Sequence, residues 1–193
     1  MTSKTISINR APVLTLWAAV VAQRLGFAED ESLTRGRAVA GLNAQAKGRR
    51  LGIFKPHEEK PKKAREKERG GRFLIEVLGR PVPATNTDDG IRAIRGGKPL
   101  DPDSVRRYLE DKFGDDLKAV RSAMQKLAKA YKPQELAHDA YRLYERFRPG
   151  IPEGKKGWGA KGVLDLGLSG RLRKERVEAK PKQQATKRKK GAT

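Results

Sequence analysis

The chain has 193 residues, no cysteine, and 44 Lys+Arg against 23 Asp+Glu, for a formal net charge of +21 and an isoelectric point near 10.5. The missing cysteines exclude disulfide stapling and thiolate metal sites and fit a reducing cytoplasm. The longest apolar run, near Val13 to Val21, is broken by Thr15 and falls short of a membrane span, and the opening MTSKTISINR lacks the apolar core of a secretory signal.

Residues 1–10 are polar and read as loose. Asn9 is placed to cap a first helix with Pro12 in its first turn. Val13, Leu14, Leu16, Trp17, Val20, Val21 and Leu25 recur at helical spacing up to a stop at Gly26. Glu29 or Asp30 opens a second helix that runs to about Lys47, and the short connection predicts an αα-hairpin. This second stretch, LTRGRAVAGLNAQAKGRRLGIF, carries a small-residue seam of Gly36, Ala40, Gly41 and Ala44 and a basic exit of Lys47, Arg49 and Arg50. The short glycine turn also suits a DNA-binding helix-turn-helix, but no third supporting helix follows. A plain hairpin with Trp17 in the core and Arg35 and Arg37 in solvent is the simpler reading.

Residues 55–71 contain seven Lys/Arg and four Glu with almost no apolar content, and read as a charged linker. Phe73 to Leu78 reads as a strand. Gly79-Arg80 makes a turn, and Pro81-Val82-Pro83 a short return strand confined to an edge by its prolines. Thr87 is expected to cap a short helix over Asp88–Ile94, ended by Gly96-Gly97. Three firmer helices follow. Asp101-Pro102-Asp103 opens the first, Asp115 or Asp116 the second and Pro133 the third, which Pro149-Gly150 ends. A glycine-dense basic loop spans 150–162, Val163–Leu166 reads as a late strand, and the apolar pattern stops at Ser169. From there to Thr193 ten Lys/Arg face two Glu, a low-complexity basic tail of net charge +8.

The fold class expected is therefore mainly α. It comprises a helical hairpin (1–54), a charged linker or loop (55–71), a minor β-hairpin with a three-helix part (72–168) and a disordered basic tail (169–193).

No catalytic, metal or cofactor site emerges. Gly157 to Gly162 matches G-x-G-x-x-G, but a lysine-rich loop precedes it and a strand-like run follows, the reverse of the dinucleotide context. His57 and His138 stand apart from carboxylates at ligand spacing. Asp88-Asp89 and Asp115-Asp116 look like helix-start acids rather than a hydrolase pair, and no nucleophile elbow is present. Trp158, among Lys155, Lys156 and Lys161, is either a core plug or a stacking face for a base or sugar.

At INRAPVLTLWAAVVAQRLGF, LTRGRAVAGLNAQAKGRRLGIF, DPDSVRRYLEDKFGDDL and RPGIPEGKKGWGAKG the chain resembles a family of small uncharacterised, mainly bacterial proteins. The resemblance covers about residues 6–166. It implies that the helical parts and the glycine loop form one unit, and it implies no activity.

The basic excess favours polyanionic partners. The leading expectation is non-enzymatic nucleic-acid binding, DNA before RNA, with no membrane partner and no cofactor, in the cytoplasm and at the nucleoid if bacterial. Arg35, Arg37, Lys47, Arg49, Arg50 and the loop Lys155, Lys156, Trp158 and Lys161 would position the ligand. The tail cluster Lys187, Arg188, Lys189 and Lys190 would grip phosphates without reading bases. The alternative is an adaptor in which the Gly36–Gly41 seam and the Trp17 face take a partner helix or a second copy, the charge serving solubility.

Overall fold

A computed structural model describes residues 4–50, 71–154 and 159–189, with the side chains of 45–50 and 180–189 outside the description. Helix α1 (Arg10–Arg24) begins after Asn9, and every residue from Pro12 to Ala22 is buried. A helix enclosed on all sides is a core element rather than a surface one. It packs on α2 (Glu29–Arg50), and it also packs on α3 (Pro102–Phe113), α4 (Leu117–Lys129) and α5 (Pro133–Phe147), the three helices expected from their caps and apolar periods. The organising helix is thus α1, with α2 as its closest neighbour.

The predicted hairpin is present, and its small residues explain its tightness. A Cβ added to Gly36 would sit 2.3 Å from the Thr15 carbonyl oxygen and 3.1 Å from the Ala19 nitrogen. Only glycine lets the two backbones come this near. In an open helix, alanine in place of glycine stabilises by roughly 0.5–1 kcal/mol. Here Gly36→Ala is expected to destabilise by about 1–3 kcal/mol through overpacking. The midpoint of denaturant unfolding measures the sign directly.

The β content is larger than a minor hairpin. Strands β2 (Arg72–Val77), β3 (Arg80–Thr87), β4 (Gly90–Arg95) and β5 (Lys98–Pro99) form an antiparallel meander in sequence order. The expected helix over Asp88–Ile94 is in fact the β3–β4 turn followed by β4. Thr87 and Gly90 are register partners, and Gly90 takes a φ of +105°. Seven residues are too few to sustain a helix, whereas pairing with β3 satisfies their backbone groups at once. Gly96-Gly97, expected to end that helix, instead makes the β4–β5 turn, with φ of +60° and +83° and Arg95 opposite Lys98.

The prolines of β3 obey the edge rule locally. Pro81 and Pro83 pair with Glu76 and Leu74 of β2, but β4 reaches β3 only from Ala84 onward. Their shared parity lets both imide nitrogens face the side where no strand lies. Val77, Val82, Ala84 and Ala93 are buried on the inner face of the sheet, which packs on α2.

Two further expectations are corrected. Within the described part of the polar opening, the chain is not loose: β1 (Thr5–Ile8) pairs antiparallel with β6 (Gly162–Asp165), burying Ile6, Ile8 and Leu164. The alternation Ile6, Ile8 is the period-two signal of a half-buried strand. Nor does the tail leave the body at Ser169. Helix α6 spans Leu166–Lys189, and its first turns bury Ser169 and Leu172 against α4. Arg176 extends this docking. It lies 5.0 Å from the Tyr131 ring centroid and donates to Glu135, holding that carboxyl below its ordinary value.

Candidate nucleic-acid interface

Charge along α2 is polarised. Glu29, Asp30 and Glu31 occupy its first turn, and no acid follows before Arg50. Acids at a helix start and cations at its end both oppose the macrodipole favourably. The three acids neutralise arginines around them. Arg35 donates to Glu31 through Nε at 3.1 Å, and its guanidinium carbon lies 3.8 Å from the Phe27 ring centroid. Arg106 donates to Asp30, with Arg92 3.7 Å from the same carboxylate, and Arg121 donates to Glu29 at 3.3 Å. Arg35 is only 5% exposed. Its expected role as a solvated phosphate contact is therefore wrong: four residues after Glu31, it closes an internal ion pair.

At the other end of the hairpin cations gather again, with the Glu145 carboxylate 4.0 Å from Arg148. Because α1 and α2 run antiparallel, the start of α1 lies at the exit of α2. Three tyrosine contacts define this end. The Tyr144 hydroxyl donates to the Arg10 carbonyl at 3.2 Å, Asn43 Nδ2 donates to the Tyr141 hydroxyl at 3.3 Å, and the two rings lie 6.0 Å apart. Arg80, at the start of β3, places its guanidinium 5.1 Å from the Tyr141 centroid. Arg10 donates through Nε to the Pro149 carbonyl at 3.0 Å, next to Arg148. Partial burial and the Arg148 charge together press the Arg10 pKa below its ordinary value.

The glycine loop reaches the same end. A Cβ on Gly159 would lie 3.7 Å from Asn9 Nδ2. Lys161 is exposed two residues further on, where Gly150 and Val163 exchange backbone hydrogen bonds. Arg10, Arg80, Arg148 and Lys161 thus arrive at one end of the hairpin from four separate segments. The backbone of α2 delivers Lys47, Arg49 and Arg50 there as well. The side chains of those three, and residues Lys155, Lys156 and Trp158, lie outside the described residues. So do Lys190 and the side chains of Lys187, Arg188 and Lys189, whose backbone forms the last turn of α6.

Arg37 belongs to another cluster. Its guanidinium carbon sits 3.8 Å from the Tyr108 ring centroid. Lys112 approaches the same ring, and Arg95, which feels the Arg37 charge, lies across Gly41 with Lys98 paired opposite it; nothing in sequence spacing draws these residues together. Tyr141, Tyr144 and Arg80 are equally illegible in the sequence, because their contacts join separate elements.

The surfaces invoked for an adaptor are internal. Gly36 faces α1, Arg95 lies across Gly41 at 3.2 Å from a would-be Cβ, and Trp17 is fully buried. Among the described residues no helix is long and apolar enough to cross a membrane, and no group of three His, Cys, Asp or Glu is placed to hold a metal ion. One open cleft of about 430 Å³ is lined by Glu29, Arg106, Glu110, Asp115, Lys118 and Arg121, a mixed set that includes the Glu29–Arg121 pair and Arg106, whose partner Asp30 lies outside the lining. The chain matches no family model, no curated protein and no solved structure.

Proposed function

We propose that this protein binds nucleic acid, DNA before RNA, through its phosphate backbone and performs no chemistry on it. The observation that carries this reading is the convergence of Arg10, Arg80, Arg148 and Lys161 on the α2 exit. Like charges assembled at one end of a fold raise its positive potential, and a polyanion relieves their repulsion. Arg146 pairs with Glu175 and Arg176 with Glu135, whereas Arg173 and Lys174 on α6 are exposed without an ion pair among the described residues. The helix therefore carries additional cations outward. Such contacts position a duplex and carry no base information, so weak sequence preference is expected.

Titration of the full chain with random-sequence duplex DNA at about 50 mM salt tests the reading. The expected result is saturable binding whose affinity falls steeply and linearly in log–log form as salt rises. Absence of binding under these conditions overturns it.

A further inference from the structure

We infer that the folded body holds a second phosphate site, formed by Arg37, Arg95, Lys98 and Lys112 around Tyr108, which takes a phosphodiester of the same nucleic acid. The inference rests on the nucleic-acid reading and adds a defined contact to it. The site is assembled from α2, the β4–β5 hairpin and α3. Arg37 stacks on the Tyr108 ring at 3.8 Å, and Lys112 Nζ lies 6.0 Å from the same centroid. Arg95 crosses α2 at Gly41, its Nε, Cζ and Cδ all within 3.5 Å of where a Cβ would be. Gly41 thus lets an arginine lie flat along the helix one turn after Arg37. The tight Gly96-Gly97 turn sets Lys98 opposite Arg95.

What distinguishes this cluster is the lack of a counter-charge. Arg35, Arg92, Arg106 and Arg121 each have a carboxylate from the first turn of α2. Beyond that turn α2 offers none, and Arg37, Arg95 and Lys98 have no ion pair among the described residues. The nearby acid is Asp111, on Lys112 at 2.6 Å. Arg95 is pressed below its ordinary pKa by partial desolvation and by the Arg37 charge. One guanidinium and one ammonium group therefore meet at the Tyr108 ring, Arg95 lies beside them across Gly41, Lys98 stands opposite Arg95 on β5, and among the described residues the one ion pair of the four is Lys112 with Asp111. A phosphate oxygen supplies the missing charge, and the planar guanidinium matches it in a bidentate fashion. Arg37 already covers a face of the tyrosine, so the site grips backbone and does not stack bases.

The test compares the full chain with the double variant Arg95→Gln/Lys98→Gln, and with a control, Lys126→Gln/Lys129→Gln, that removes the same charge from exposed positions on α4. Arg37 is retained because it packs on Tyr108, and thermal melts verify that both variants fold. The slope of log K against log salt is measured on random duplex DNA. The site predicts a slope smaller by about 1–2 in the Arg95/Lys98 variant, at close to 0.9 for each phosphate no longer neutralised, and little change in the control. An unchanged slope in the first variant, with the parent chain binding normally, overturns the site alone. An equal drop in the control shows a net-charge effect and also overturns it. A parent chain that ignores DNA and binds vesicles of anionic phospholipid instead overturns the nucleic-acid reading, and the site with it.

Discussion

Trp17→Ala is expected to destabilise the protein by about 3–5 kcal/mol. Folded domains of this kind have only about 5–15 kcal/mol in total, so the variant should be largely or wholly unfolded at modest denaturant. The size of the effect follows from where the ring sits. Trp17 lies in the middle of the buried run of α1, fully excluded from solvent. Its ring meets Phe147 edge-on at a centroid distance of 5.1 Å, and Phe147 meets Tyr144 edge-on at 5.9 Å. The three aromatics join α1 to α5, and removing the largest leaves a void that neighbours on several elements cannot close together. The indole N–H adds a smaller share by donating to the Ala140 carbonyl at 2.8 Å. Trp17→Phe separates the two contributions. It keeps most of the ring and removes the donor, so beyond its smaller volume it should cost about 1 kcal/mol for the hydrogen bond. Equilibrium urea unfolding of both variants is the measurement. A cost below about 1 kcal/mol for the alanine variant, far under the expected range, would mean that α1 is not the centre of the fold.

How far these features can be read from the sequence depends on whether one residue pattern serves one purpose. The α1 periodicity, the caps of α3 and α5 and the Gly26 stop have a single structural meaning, and the elements lie where they predict. Thr87-Asp88-Asp89-Gly90 does not. The same residue types cap helices and close hairpins, and only the partner strand β3, supplying hydrogen bonds from the other side, decides between them. Leu78 is hidden for a related reason. It takes a φ of +52° in the β2–β3 turn, ahead of Gly79 at +72°, where asparagine is the usual choice. Its side chain packs against the core, which compensates for the unfavourable backbone.

The arginines show the same contrast. Arg35 reads as a surface cation because its immediate neighbours include polar and small residues. Its pairing with Glu31 is nevertheless an ordinary i,i+4 motif, and that motif beside the apolar residues Leu33, Ala38 and Val39 is the signal that places it inside. The clusters at Tyr141 and Tyr108 carry no comparable local signal. Each gathers cations separated by tens of residues, and only the meander and the antiparallel hairpin bring them together. The start of the tail is hard to recognise because Leu172 is one apolar residue among cations, too sparse to register as a period. With Leu166 and Leu168 packed ahead of it, this one leucine completes the seat of the helix's first turns on α4.

That seating determines how the tail must be tested. Cutting the chain at Ser169 would remove Leu172 and the Arg176–Glu135 pair and so confuse binding with folding. Removing residues 180–193 leaves both in place and deletes six Lys/Arg and no acid. The shortened protein should melt at nearly the same temperature. Its log K on random duplex DNA should fall less steeply with log salt, by about 3–5 units of slope if most of the six cations release a counterion each. The geometry favours a large fraction. From Arg176 to Lys189 the helix extends about 20 Å at 1.5 Å per residue, beyond its anchorage at Glu135. Within it Pro181 has no N–H to give the Val177 carbonyl, which leaves one hydrogen bond of the helix unmade. A cationic segment of this length spans several phosphates of one strand. The effect should add to that of the Arg95/Lys98 variant, because separate contacts release separate counterions. If the slope is unchanged by the deletion, the tail makes no phosphate contact, and the grip belongs to the folded body, to the basic end beside Tyr141 and the cluster at Tyr108.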